Sequence, residues 1–398
     1  MTDVPRPESP QPYRWMVLAL TAACFLLTFV VRFIWPPLIP VVVPVLGMKM
    51  SQAGAYMSAF YIGYVITQIP AGILADYFGI RLILALSLAL EGITTFAMGS
   101  ISTYEAGFAL RVATGLGAGA VFSACSRALM EWFPPKERGT AFGALLAAPS
   151  AGILLSGIVV PALNKAFNWQ AAFQAVGAFT LAVGILLFFL LKTSSQARSQ
   201  GAGIFGGFKV VFGSRDLILT ALAGFCLMWV ELGTATWTFA SIKHLGYTLK
   251  EAGSVMVFYG IGGLIAPLAS GYLSDKLGHR KNILMASLLV IAPVTVIFGY
   301  QTTIAALSAM GFVFGFVSYL ANPHLSVMIS EFAGKQWAAT ANGTSNFVFQ
   351  LAPIIGPVVM GWAIDITGAY TSVWWIMAIG PLVGALLLIP VNPENRRD

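Results

Sequence analysis

Charge is what this sequence lacks. Of its 398 residues only 9% are charged, against about 25% in an ordinary soluble domain. A water-soluble enzyme of this length cannot cover its surface with so few ionised groups, so that class is excluded. Cysteine and histidine are equally scarce, at three each. Cys24, Cys125 and Cys226 each stand alone inside an apolar run, without CxxC spacing. They read as small hydrophobes between helices, and neither a disulfide framework nor a metal cluster is expected. There is no P-loop and no HExxH, which argues against ATP-driven transport and zinc-peptidase chemistry. Gly115, Gly117 and Gly119 have no strand before them and read as helix packing. The chain is expected to be no enzyme and to carry no cofactor.

What is present in excess is apolar surface. Hydrophobic residues make up 58% of the chain and aromatics 13%, with a mean hydropathy of +0.83. A helix needs about 20 apolar residues to cross the hydrocarbon core. Cut at charges and Gly/Pro clusters, the sequence yields twelve such runs: 15–42, 52–74, 82–100, 104–132, 139–163, 169–192, 216–242, 252–274, 282–300, 302–330, 338–362 and 370–391. The expected fold class is an all-α membrane protein with twelve transmembrane helices. The long Ser/Gly/basic connection 193–215 reads as a linker between a 15–192 half and a 216–391 half, with tails 1–14 and 392–398. The proline-rich tail has no secretory h-region or cleavage site, so the first run reads as a retained helix.

The net charge of +7 reads as basic loops and not as nucleic-acid binding. Fifteen of the 22 Lys and Arg fall on one side of the predicted membrane, and only Lys49, Lys165, Lys243 and Lys250 on the other. That bias places both termini and the linker in the cytoplasm of a cell (inner) membrane protein. A monomer in the lipid bilayer is expected.

The two halves repeat each other. The pattern G-x-L-x-D-x-x-G-x-R occurs at Gly72, Asp76, Gly79 and Arg81, and returns 199 residues later at Gly271, Asp275, Gly278 and Arg280. Ala148-Pro149 with Gly152 and Gly157 returns as Ala352-Pro353 with Gly356 and Gly361, 204 residues on. Two matching pairs at nearly one offset indicate duplicated six-helix units. On these motifs the sequence resembles the major facilitator superfamily of secondary transporters along its whole length. The resemblance implies two pseudo-symmetric six-helix bundles around a central cavity, alternating access, and a gating role for the eight loop-motif residues.

Ionisable groups inside the membrane are costly and face a cavity or a partner. Arg32 lies in the first run and Arg111 in the fourth; neither has an acid nearby in its own run. Guanidinium forks match carboxylate and phosphate, so the pair reads as an anion clamp. Arg111 also fits the family's R-x-x-x-G-x-G pattern in helix 4, which recurs with many substrates. Arg32 resembles the helix-1 arginine of the organic-anion branches, nearest the anion:cation symporters. These carry an acid seven residues after the helix-4 arginine, where this chain has Ala118. Glu231 and Glu91 are the proton-coupling candidates; helix 7, the duplicate of helix 1, lines the cavity in the resembled fold. Tyr61, Tyr64 and Gln68 share one helical face, and Trp35, Tyr259, Tyr319, Asn322, His324, Asn346 and Gln350 complete the candidate substrate contacts. The expected function is transport of a small organic anion, a carboxylate, by proton symport or exchange against a counter-anion. The alternative is proton-coupled efflux of drugs or cations through Glu231 or Glu91, which the positive charge of Arg32 disfavours.

Overall fold

The computed structural model describes residues 12–68, 70, 75, 77–134, 136–192, 209–277, 279–334 and 337–392, and of 268, 271–277 and 339 only the backbone. Among these residues every regular element is a helix. The first half holds α1 (Tyr13–Phe33), α2 (Trp35–Val45), α3 (Met50–Gln68), α4 (Ile80–Met98), α5 (Tyr104–Ala118), α6 (Val121–Trp132), α7 (Arg138–Ala166) and α8 (Trp169–Leu190). The second holds α9 (Arg215–His244), α10 (Leu249–Leu277), α11 (Arg280–Gly299), α12 (Ile304–Leu320), α13 (Asn322–Ala333), α14 (Ala338–Phe349), α15 (Leu351–Thr367) and α16 (Thr371–Leu388).

Eleven segments among the described residues are long and apolar enough to cross a membrane, several of them two helices in series. The second predicted run is the exception. It forms α3, a 19-residue helix, but Ser51, Gln52, Ser58 and Gln68 together with three tyrosines lower its hydropathy. These polar groups need no lipid contact, because α3 packs between α5 and α15. The linker core 193–208 and the chain ends lie outside the described residues.

The repeat seen in the loops recurs in the packing. A Cβ on Gly63 would fall 2.0 Å from the Val112 carbonyl oxygen, and one on Gly262 would fall 2.2 Å from that of Phe312. Gly115 and Gly315 each leave only 1.9 Å, against the carbonyls of Phe60 and Tyr259. Each second-half contact lies 199 or 200 residues after its first-half counterpart. Thr103 and Thr303 likewise cap α5 and α12 by accepting from the third residue onward, both at 3.3 Å. Backbones that close leave no room for any side chain, so these glycines fix the helix pairs.

The ends of the array differ. One, the basic end, is tied by Arg14 to Glu137 at 3.0 Å and by the Lys281 ammonium, which donates to the carbonyls of Ile389 and Val391 at 2.8 Å. At the far end the two halves touch. A Cβ on Gly54 would fall 2.1 Å from the Pro357 carbonyl, and one on Gly361 would fall 2.3 Å from that of Met50. Asp365 on α15 accepts from the free amides of Met50 and Ser51 at the start of α3, at 2.8 and 2.9 Å. On the opposite flank α7 and α10 approach at Gly157 and Gly253, and α2 packs against α9.

Candidate functional site

The sequence Trp35-Pro36-Pro37 shapes the first half of the site. Proline has no amide hydrogen, so the carbonyls of Arg32 and Phe33, four residues upstream, lose their helical donors. The helix breaks at Ile34 between α1 and α2. The freed carbonyls are satisfied from other helices. Arg111 on α5 donates to Arg32 O at 3.1 Å, Val31 O at 3.3 Å and Tyr56 O at 3.2 Å. Ser156 on α7 donates to Phe33 O at 2.5 Å. A cation at a helix C-terminus also meets the negative end of the helix dipole. Arg111 is 1% exposed, and its guanidinium is occupied by backbone. The structure therefore sets Arg111 beneath the arginine it was expected to join: it positions the α1 end that carries Arg32.

Arg32 makes no comparable backbone bonds; its guanidinium lies within hydrogen-bonding reach of the Tyr61 side chain. Arg32 is 5% exposed, and its Nε is buried with no hydrogen-bond partner. Aromatic rings surround the guanidinium: Phe29 at 4.4 Å, Tyr64 at 4.7 Å, Phe60 at 5.2 Å and Tyr61 at 5.3 Å from their centroids. Ring faces attract a cation but do not neutralise it. Among the described residues no carboxylate forms an ion pair with Arg32. Phe29 and Phe60 were not singled out in the sequence. Their signal was helical spacing, Phe29 three residues before Arg32 and Phe60 four before Tyr64.

The second half contributes a different set. Glu231 on α9 follows Arg32 by 199 residues, the offset of the loop motif, so equivalent places in the repeat carry opposite charges. Its Oε1 accepts from the Asn322 amide at 2.9 Å. Tyr259 and Tyr319 lie 6.1 Å apart, and Tyr319 is close enough to both Glu231 and Tyr61 to interact with each. Arg32, Tyr61 and Tyr64 of the first half thus lie on the same side as Tyr319, Tyr259, Glu231 and Asn322 of the second, with Tyr319 and Tyr61 nearest each other.

Other predicted residues fall elsewhere. Trp35 is fully buried and donates to Ala53 O at 2.8 Å, which ties α2 to α3. His324 is 2% exposed and bonded to Ser270 Oγ at 2.8 Å. Asn346 and Gln350 flank the α14–α15 break, where the Asn346 carbonyl accepts from the Gln350 amide at 3.0 Å. The Gln68 and Gln350 side-chain oxygens are buried without partners. Glu91 is fully buried in α4 and accepts from Thr28 at 3.0 Å. Of the gating residues, Gly72, Asp76 and Gly278 lie outside the described residues, as does the side chain of Asp275. Gly271 lies within α10. Gly79 adopts φ +81°, Arg81 stacks 4.9 Å over Phe188, and Arg280 pairs with Glu331. A groove of about 550 Å³ between α11 and α12 is lined by His279, Ile283, Val290 and Val317 among others. It is almost wholly apolar, and none of the predicted substrate contacts lines it.

The description Major Facilitator Superfamily matches residues 20–357 and 233–398. The chain belongs to the Major Facilitator Superfamily. Within that superfamily it is 28% identical to a probable sulfoacetate transporter of Cupriavidus necator, over 96% of this chain and 94% of that one. It is 24% identical to a hexuronate transporter of Bacillus subtilis, over 86% of each chain. Its fold matches that of a bacterial homologue of the human lysosomal transporter Spinster, solved inward-facing and unoccupied, with a TM-score of 0.86 at 15% identity, covering 98% of this chain and all of that one. The superfamily fold is that of an integral membrane transporter, and its architecture accounts for the packing repeat described above.

Proposed function

We propose that this chain is a secondary transporter of a small organic anion, a carboxylate, which binds at Arg32 between the two halves. The observation that carries the reading is a buried guanidinium caged by four aromatic rings, with no carboxylate in ion-pair contact among the described residues. An arriving carboxylate would bring a counter-charge into direct contact and accept from the guanidinium in a forked geometry. The relatives named for sulfoacetate and hexuronate, both organic anions, support the same class. A cationic drug would meet the Arg32 charge directly, so the efflux alternative is disfavoured.

In this reading the halves 15–192 and 216–391 rock about the central group, and the far-end contacts close one of two alternating openings. The basic end faces the cytoplasm in a cell membrane, with both chain termini on that side. The loop motifs act as the gate at that end. The experiment is uptake into proteoliposomes from a panel of sulfoacetate, D-glucuronate, D-glucarate and tartrate, with tetraphenylphosphonium as the cationic control. Accumulation of at least one anion, and none of the cation, is expected. Accumulation of the cation alone would overturn the reading.

A further inference from the structure

The groove between α11 and α12 changes character along its length. Its α11 wall is formed by His279, Asn282, Ile283, Ala286, Ser287 and Val290, positions three or four residues apart that share one helical face. The polar side chains of His279 and Asn282 stand together at the basic end, and both residues are exposed. Beyond them the groove is apolar. Ser287 is buried and donates within its own helix, to Ile283 O at 2.8 Å. The opposite wall is Val317 and Leu320 of α12, and the Leu320 carbonyl accepts from Ser270 at 2.9 Å. Both of these polar groups are bonded within the protein, so the deep part of the groove has nothing to offer water.

The dimensions and the charge select an occupant. His279 to Val290 is eleven residues, about 16 Å along a helix at about 1.5 Å per residue. The hydrocarbon core is about 30 Å thick, so the groove runs from one membrane face to the midplane, the depth of a single leaflet. Ala286, Leu289 and Val290 are exposed on the outside of the array, which in a membrane helix is the lipid side. The mouth is positive. Arg280 is paired with Glu331, but Lys281 donates only to the uncharged carbonyls of Ile389 and Val391, and these leave its charge standing. Asn282 and His279 add N–H donors beside it. Basic groups between transmembrane helices at a membrane face suit anionic lipid headgroups.

We propose that this groove binds one anionic phospholipid from the leaflet at the basic end. An acyl chain lies along 283–290, and the phosphate accepts from Asn282 and His279 beside Lys281. A free phosphate would leave the apolar walls uncovered, and a neutral lipid would make no use of the charge. The site is separate from Arg32 and stands without the anion reading. A second groove provides the contrast. It lies between α4 and α8, measures about 340 Å³, and is lined by Ile93, Phe96, Ala178, Leu181, Ala182 and Ile185. It offers a chain similar walls but a headgroup no side-chain donor, so it takes lipids without preference for charge.

The test reconstitutes the full-length protein in phosphatidylcholine nanodiscs with a trace of phosphatidylglycerol carrying a mid-chain diazirine. A phosphatidylcholine probe with the same chain is the comparison, and labelled peptides are mapped by mass spectrometry after illumination. The phosphatidylglycerol probe is expected to label 283–290 and 317–320 about fivefold more than the phosphatidylcholine probe, the factor that one cation near the surface contributes. Both probes should label the α4–α8 groove equally. Ala286→Trp fills the α11–α12 groove and should remove its labelling by either probe, with unchanged labelling between α4 and α8 reporting a folded protein. Asn282→Asp places a carboxylate where the phosphate sits and should bring the two probes to equal labelling there. Equal labelling of the α11–α12 groove by the two probes in wild type would overturn the proposal. So would labelling that survives Ala286→Trp, or a groove closed to both probes, as a second copy of the chain seated on it would leave it.

Discussion

Asp365 offers a direct handle on the far-end closure. Its two carboxylate oxygens accept from the Met50 and Ser51 amides at 2.8 and 2.9 Å, across the boundary between the halves. These amides open α3 and have no partner within it, and the helix dipole adds to the attraction. A hydrogen bond to a charged group is worth about 1.5–3 kcal/mol when sheltered. Asp365 is solvent-exposed, so screening reduces the pair to about 1 kcal/mol together. Asp365→Ala should then move the equilibrium toward far-end opening by about fivefold. The assay is pulsed electron-spin distance measurement between labels at Val45→Cys and Ile366→Cys, both positions being exposed at 63%. The three native cysteines are buried and free, which keeps background labelling low. A longer-distance population should grow in Asp365→Ala and grow less in Asp365→Asn, which retains one acceptor oxygen. Identical distance distributions in all three proteins would refute the capping argument.

Further predictions follow from the same geometry. Arg111→Gln frees the Arg32 and Val31 carbonyls and should destabilise the protein by about 2–4 kcal/mol, read as a lowered thermal midpoint in detergent, whereas Arg32→Ala should lower it less. Ser156→Ala leaves the Phe33 carbonyl unsatisfied and should cost about 1–2 kcal/mol in the same measurement. Gly115→Val or Gly315→Val forces atoms into a 1.9 Å gap and should abolish recovery of folded protein by size-exclusion chromatography, while Gly343→Ala, with nothing within 4 Å, should be recovered normally.

Much of the fold was legible because span length and hydropathy are properties of the chain alone. The run predicted at 139–163 is the helix Arg138–Ala166, and that at 169–192 is Trp169–Leu190. The polar α3 was found as a helix because Lys49 and the Pro70–Gly72 stretch mark the ends of its run, although its hydropathy alone does not mark a span. Partners were harder to read. Arg111 and Arg32 look alike as buried arginines in apolar runs. What separates them is the pair of prolines at 36 and 37, which frees the Arg32 carbonyl for Arg111, while the Arg32 guanidinium turns to aromatic side chains. That difference was latent in the sequence, but it required knowing that α1 and α5 meet at this level. Thr28 was invisible for the same reason: a threonine in an apolar helix bonds its own backbone by default, and only the approach of α4 gives it a second acceptor.

The central claim is that Arg32 holds the anion, and equilibrium binding of D-glucuronate to purified wild type, Arg32→Lys and Arg32→Ala tests it most directly. Lysine keeps the charge but loses the planar fork that suits a carboxylate. A charge-assisted hydrogen bond contributes about 1.5–3 kcal/mol, so Arg32→Ala should bind at least ~10-fold more weakly, with Arg32→Lys in between. Folded Arg32→Ala that bound D-glucuronate as tightly as wild type would contradict the account.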